Sequence, residues 1–369
     1  MKAPYYMLIR NLPYGMAGKA TGMTKKLNST EIARIAGVSR STVSRVINGY
    51  RNVPDHTRSR VMKVINENEY YPLLSGQLLA GKKTDTLGFF WIFTGNIADD
   101  MLCSAYLAHV TESAAKLGYL VLASIVQNLT DQANIDWIKR IFIQERIDAG
   151  IFIGVKNNEP LIEDLISRGK VVGIFDHYHP GLSEPNRISV NYETDTGRKT
   201  IDYLYSLGHR KIAIIDGDVS RYSMLKRHEG YLSGMQDRGL EIHGEWMYYT
   251  NIFSGGDDGY DAAKKLLTNC REYPTAICAG NDFIAFGVYK ALEEAGISIP
   301  RQISVIGIDG HGKGELVSPS LTTFAFNYKE MFFSLVKRTI CAVAKEPDNP
   351  ATQYISGNLL ERESCRRLL

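Results

Sequence analysis

The sequence predicts a small all-α domain at the front of the chain, followed by a two-lobed α/β domain built on doubly wound parallel sheets. Three observations carry this. Asn28 to Asn48 reads as two short helices joined by a tight turn. Residues 87 to 326 alternate apolar runs with amphipathic stretches, and 369 residues are too many for one compact core.

Asn28 followed three residues later by Glu31 is a capping-box start, and Ile32, Ala33, Ile35 and Ala36 give the first helix an apolar side. Gly37-Val38 breaks it. Ser39 then caps a second helix in which Val43, Val46 and Ile47 point inward and Arg40, Ser41, Ser44 and Arg45 outward. Any small helical hairpin with a solvated face shares this pattern. Pro54-Asp55 starts a third helix through Val61, Val64 and Ile65, ending near Tyr70-Tyr71-Pro72 because the residue before proline is pushed out of helical geometry. Ser75 to Ala80, bracketed by Gly76 and Gly81, is at most two turns and would be unstable as an isolated helix in water.

Taken together, AGVSRSTVSRVIN, a third helix ending in YYP, and QLLAGKKTDTLG resemble the headpiece and hinge helix of the lactose-repressor/galactose-repressor (LacI/GalR) family of bacterial transcription regulators. The resemblance continues to GNLLERES near residue 364. It implies a helix-turn-helix head at 24–72, a hinge and linker at 73–84, and a periplasmic-binding-protein-like effector and dimerisation domain at 85–369. Residues 1–23 precede the usual start of the family. They are expected to be a disordered extension, or residues 1–22 a start placed too far upstream.

Charge agrees with a nucleic-acid-binding head. Residues 24 to 83 hold 11 Lys or Arg against 4 Asp or Glu, whereas residues 84 to 369 carry a net −7 within an overall +3. A merely solvated small domain would show the same asymmetry. Five cysteines without C-x-x-C spacing fit reduced thiols, and no apolar run is long enough for a membrane span, so a cytoplasmic location is expected.

Leu87 to Phe93, Leu120 to Ile125, Gly150 to Ile153, Val171 to Phe175, Lys211 to Ile215, Thr275 to Ala279 and Ser304 to Ile308 read as buried parallel strands. By the resemblance, the chain crosses between lobes near 191, 326 and 356. Enzyme signatures fail. Thr94-Gly95-Asn96 stands where a dinucleotide-binding glycine motif would, and GQLLAGK at 76–82 lacks the Ser or Thr that completes a P-loop. Asp176-His177-Tyr178-His179 is better read as cleft lining than as metal ligands, so no cofactor and no metal is expected.

Strand ends are where open α/β sheets bind ligands, and Asp176, Asn281 and Asp309 fall there, with Arg227 in a following segment. Each also fits a structural role: Asp309 as a helix cap, Asn281 as a turn residue, Arg227 as a surface partner of Glu229. The resemblance favours the ligand role. Asp176, Arg227, Asn281 and Asp309 match positions where sugar-binding members place hydroxyl-binding groups, and Tyr328 matches an aromatic. A small-molecule effector, a sugar or sugar derivative, follows, with a sugar acid or sugar phosphate also suited to Arg227.

In the head, Arg40, Ser41 and Arg45 match base-reading positions, Ser44 shares their face, and Ser39, Thr42, Asn48 and Thr57 are expected on phosphates. Leu79 is expected to enter the minor groove at the dyad when two hinges fold together on DNA. The partners implied are double-stranded DNA carrying a palindromic operator, the effector, and a second copy of the chain as a homodimer, with no membrane. The whole reads as a transcription regulator, a repressor and not an enzyme. An exported sugar-binding protein shares the two-lobed fold but has no use for residues 28 to 81.

Overall fold

The computed structural model describes residues 27–70, 83–93, 101–177, 184–250, 257–347 and 352–368, with only the backbone of Met101 to Cys103. The chain forms two compact units that divide between Thr84 and Asp85.

Among its described residues the first unit holds three helices, α1 (Ser29–Ala36), α2 (Arg40–Ile47) and α3 (Asp55–Glu67). The Asn28 side chain accepts from Thr30 N and Glu31 N at 2.9 and 3.1 Å, and Glu31 accepts from Asn28 N at 2.8 Å, which closes the capping box. Gly37 ends α1 at φ 63°, a conformation open to glycine without cost. Ile32, Ala33, Ala36, Val43, Val46, Val53, Val61, Val64 and Ile65 form its buried core. Ile35, expected inside, is exposed because Ile32, Ala33 and Ala36 already define the buried stripe. The third helix stops at Glu67, before Tyr70, with Asn68 bonding back to the Val64 carbonyl and Glu69 at φ 45°.

Among its described residues the second unit contains two six-stranded sheets. In the first lobe lie β1 (Thr86–Ile92), α4 (Met101–Lys116), β2 (Leu120–Val126), α5 (Gln132–Ile143), β3 (Ala149–Ile153), α6 (Pro160–Ser167), β4 (Val171–Phe175) and β5 (Arg187–Tyr192). The second lobe follows with α7 (Thr196–Ser206), β6 (Ile212–Asp216), α8 (Tyr222–Asp237), β7 (Met247–Tyr249), α9 (Asp257–Asn269), β8 (Ala276–Ala279), α10 (Asp282–Glu294), β9 (Ser304–Asp309) and β10 (Thr322–Ala325). The chain then returns as α11 (Tyr328–Ala344), which packs on β4 and β5, and finishes with β11 (Thr352–Ile355) and β12 (Asn358–Leu360).

Strand order is β11-β5-β4-β3-β1-β2 in one sheet and β12-β10-β9-β8-β6-β7 in the other. Among the described residues every pairing is parallel except β10 with β12. One apolar cluster spans both lobes and passes through Tyr192, Phe326 and Tyr328, where the chain changes lobe. The sequence pattern misses β5, β7, β10, β11 and β12, which are short or interleaved with polar residues. It also takes β2 as buried, whereas this strand ends its sheet and leaves Leu120 72% and Ile125 60% exposed.

Helices α7 and α8 cross at glycines. A Cβ on Gly197 would lie 2.1 Å from the Arg227 carbonyl oxygen, and one on Gly230 would lie 2.8 Å from Arg198 N. Gly197→Ala is therefore expected to destabilise the protein by about 1–3 kcal/mol, despite alanine's better helix propensity, because the obstacle is backbone. A thermal midpoint equal to that of wild type would refute the close crossing.

Candidate functional sites

On the first unit, α2 turns Val43 and Val46 into the core and leaves Arg40, Ser41, Ser44 and Arg45 exposed. Its first turn contains no acidic residue, so the positive end of the helix is unneutralised. The Ser39 hydroxyl accepts from Thr42 N at 3.1 Å and bonds the hydroxyls of Ser41 and Thr42 at 2.7 and 2.8 Å. Arg40 Nε donates to Ser29 Oγ at 3.0 Å, which ties this arginine to the start of α1. Asn48 donates to Ser44 Oγ at 3.2 Å, and Thr57 Oγ1 lies 3.0 Å from His56 Nε2. The surface thus offers guanidinium, hydroxyl and amide groups on one exposed helix, the chemistry that meets base edges and phosphate oxygens. Leu79 and most of the expected hinge lie outside the described residues.

In the second unit, the C-terminal ends of both sheets face a cleft. Asp176, just past β4 at φ 60°, accepts from Ser223 N at 2.9 Å and from Ser223 Oγ at 2.6 Å, so it bridges to α8 of the other lobe. Arg227, 3% exposed, donates to the Gly280 carbonyl at 2.7 Å and to Asp309 Oδ1 at 3.4 Å, with its guanidinium 4.9 Å from the centre of the Tyr192 ring. Its expected surface alternative fails: Glu229 pairs with Lys226 at 2.7 Å. Asp309 ends β9 at φ 130° and caps no helix. Tyr328 opens α11 with its hydroxyl 3.4 Å from that of Tyr192 and its ring 4.8 Å from Tyr106. Asn281 stands apart in role, since its Oδ1 accepts from Ile284 N at 2.8 Å and caps α10.

Burial dominates the electrostatics here. It pushes the Asp309 carboxyl up to about 7, against the opposing pull of Arg227 and the Tyr328 hydroxyl and with the help of Asp282. Burial also raises Asp176, although Ser223 and Arg227 pull it back. Desolvation works against the Arg227 charge, but Asp309 and the surrounding tyrosines outweigh it and hold the guanidinium protonated. Arg227, Asp309, Tyr328, Tyr192 and Tyr106 form one contiguous polar-aromatic cluster covered by protein. Sequence reasoning missed Tyr106, Tyr192 and Ser223: the first lies mid-helix, the second ends a strand the pattern does not mark, and the third is recognisable only by its reach to Asp176.

Among the described residues no group of three or more His, Cys, Asp or Glu is placed to hold a metal ion, and no helix is long and apolar enough to cross a membrane.

Residues 30–72 match the model for bacterial regulatory proteins of the lacI family, and residues 201–365 match the periplasmic binding protein-like domain. The HTH-type transcriptional regulator DegA of Bacillus subtilis (strain 168) is 32% identical over 307 residues, covering 82% of this chain and 87% of that protein. The HTH-type transcriptional repressor PurR of Vibrio vulnificus (strain CMCP6) is 29% identical over 293 residues, covering 79% and 85%. Among solved structures, a lac repressor dimer bound to operator and the anti-inducer ONPF superposes with a TM-score of 0.77 at 23% identity, covering 93% of this chain and 100% of that one. A complex of the transcriptional regulator CelR with cellobiose gives 0.69 at 22%, covering 92% and 99%. At such identities these two superpositions speak for the fold, and the DegA match speaks for the family. The chain belongs to the lacI family of bacterial regulatory proteins, as a DNA-binding transcription regulator and not an enzyme.

Proposed function

We propose that this regulator is a cytoplasmic repressor that binds a palindromic operator as a homodimer and is switched by a small hydroxylated effector between its lobes. Residues 24–72 form the reading head, 73–84 the hinge and linker with Leu79 as a minor-groove wedge, and 85–369 the sensing and dimerisation part. Arg40, Ser41 and Arg45 read bases, with Ser44 on the same DNA-facing side; Ser39, Thr42, Asn48 and Thr57 bond the backbone. The observation that carries this is α2 itself, with its valines buried and its arginines and serines exposed on a compact three-helix core.

In the cleft, Asp176, Arg227, Asn281, Asp309 and Tyr328 are the effector-binding groups. Carboxylates accept from hydroxyls, the arginine donates, and the aromatic face meets C–H groups. The cellobiose complex of CelR supports a saccharide. A second copy of the chain fits the apolar edge strand β2, where Leu120, Leu122 and Ile125 are exposed, since such an edge otherwise invites aggregation.

Selection from a pool of random duplexes by the full chain tests the DNA reading. A two-fold-symmetric sequence is expected to emerge, bound with two chains per duplex. Recovery of no common sequence, or binding that depends only on salt, would overturn it.

A further inference from the structure

Beside the edge strand of the second-lobe sheet, three side chains form a relay that neither the DNA reading nor the polar cluster around Asp309 uses. β6 and β7 run parallel with Asp216 opposite Tyr249 in register, and Thr250 N donates to the Asp216 carbonyl at 2.8 Å. His228, on α8, covers both strand ends. Its Nδ1 lies 3.2 Å from Asp216 Oδ2, and its Nε2 lies 3.1 Å from the Tyr249 hydroxyl.

Burial gives each group its part. Asp216 is fully buried, and its Oδ1 accepts from Gly217 N at 2.9 Å, so the carboxylate is held in place. Oδ2 and His228 Nδ1 have no other hydrogen-bond partner among the described residues, which leaves them to each other. A carboxylate facing Nδ1 draws the ring proton to that nitrogen, and Nε2 is then the acceptor for the phenol. Tyr249 is the exposed member, at 56%. Partial burial and the nearby Asp216 charge raise its phenol above the usual range, so it rests neutral and needs a base at the moment it attacks. A buried carboxylate, an oriented imidazole and an exposed hydroxyl, in this order, are the arrangement that turns a hydroxyl into a nucleophile. The same contacts fasten β7 to α8; the exposed phenol is what opens them to chemistry. A cavity of about 530 Å³ reaches Tyr249, and Lys156 and Arg221 line it alongside Glu159 and Asp218. That volume has room for the reactive end of a small donor.

We propose that Tyr249 is an acyl-accepting site, with His228 as its general base and Asp216 as the residue that positions the base, and that it takes an activated acyl group from an acyl phosphate or an acyl thioester. The phenol oxygen attacks the acyl carbon, and its proton passes to His228 Nε2. The bond from that carbon to the phosphate oxygen or the thioester sulfur breaks, and the leaving group takes the proton from the imidazolium. An aryl ester and free phosphate or thiol result, with no oxidant or reductant needed. Water later restores the phenol and releases the carboxylic acid. An esterified Tyr249 no longer donates to His228, so the modification removes the bond between β7 and α8, one residue from Arg227.

The test is acetylation of the full chain by acetyl phosphate and, separately, by acetyl-coenzyme A, with the ester at each tyrosine followed by peptide mass spectrometry. Tyr50 is the internal control, since it is equally exposed and no imidazole bonds its hydroxyl among the described residues. Tyr249 is expected to gain acetyl about 100-fold faster than Tyr50, the scale of general-base assistance. His228→Gln should bring it down to the Tyr50 rate, and free imidazole should restore much of the rate in His228→Ala. Adding Asp216→Asn to His228→Ala should change nothing further, because a positioning residue acts only through the ring it holds. The comparison of two tyrosines within the wild type stands even where a variant fails to fold. Labelling by either donor supports the site and tells which of the two sources it uses. Equal rates at Tyr249 and Tyr50 with both donors would overturn it, as would an advantage that survives His228→Gln.

Discussion

Lowering the pH from about 8 to about 5 is expected to stabilise the protein through Asp309, and Asp309→Asn should remove that gain. The sign follows from the direction of the shift. Asp309 ionises near its ordinary value of 3.8 when unfolded but holds its proton to about 7 when folded. Between these limits the folded state carries a proton the unfolded state has lost, so stability falls as pH rises through this window and then levels off above it. Between pH 8 and pH 5 about two units of that window are crossed, so the gain is on the order of 3 kcal/mol, large beside the stability of a typical domain. Asparagine imitates the neutral acid and loses the pH dependence, so the variant should be the more stable protein at pH 8. Asp176 and Glu159 shift in the same direction through burial, which makes the comparison between variant and wild type the informative one. Urea midpoints of both proteins at the two pH values decide it; identical pH dependence would show that Asp309 is ionised throughout.

The other large effect is expected on DNA. Arg45→Ala removes an exposed guanidinium from the outer face of α2 and should cost roughly 1–3 kcal/mol per half-site, or about 5- to 150-fold, against the selected operator. Binding to scrambled duplex should change far less, because what is lost there is one phosphate attraction among several. Arg40 behaves differently. Its Nε is braced by Ser29, so Ser29→Ala leaves the charge in place and loosens its aim, weakening specific binding by less than Arg40→Ala does. Titrations at one fixed salt concentration separate these cases. Equal losses on operator and scrambled DNA would move Arg45 from base reading to phosphate contact.

The helical head was legible because its punctuation is local. Asn28 and Glu31, Gly37, and Ser39 each mark a boundary within one turn, and the structure uses all of them. Strands buried on both faces, such as Ala149–Ile153 and Val171–Phe175, announce themselves as unbroken apolar runs. Arg187–Tyr192 and Thr322–Ala325 do not, because their polar side chains are satisfied by distant parts of the chain: Arg187 by Glu163, and Thr323 by Asp282. The same distinction divides the cleft. Asp176, Asn281 and Asp309 could be found by their place after strands. That Asp176 is held by a serine 47 residues away, or that three tyrosines from separate elements close over Asp309, depends on tertiary proximity that no local pattern encodes.

The late strands have a consequence for biosynthesis. β11 pairs with β5 and β12 with β10, and Ser364 bonds both the Val305 carbonyl and Thr322 N. Each lobe therefore lacks an edge strand until residues beyond 350 have left the ribosome, long after most of its own segment has been translated. A nascent lobe would wait with an open sheet margin, the kind of surface that pairs with a neighbour and leads to aggregation. Late closure also puts long-range contacts into the last step of folding, so this regulator should gain its ligand-binding form only after synthesis of the sensing domain is essentially finished.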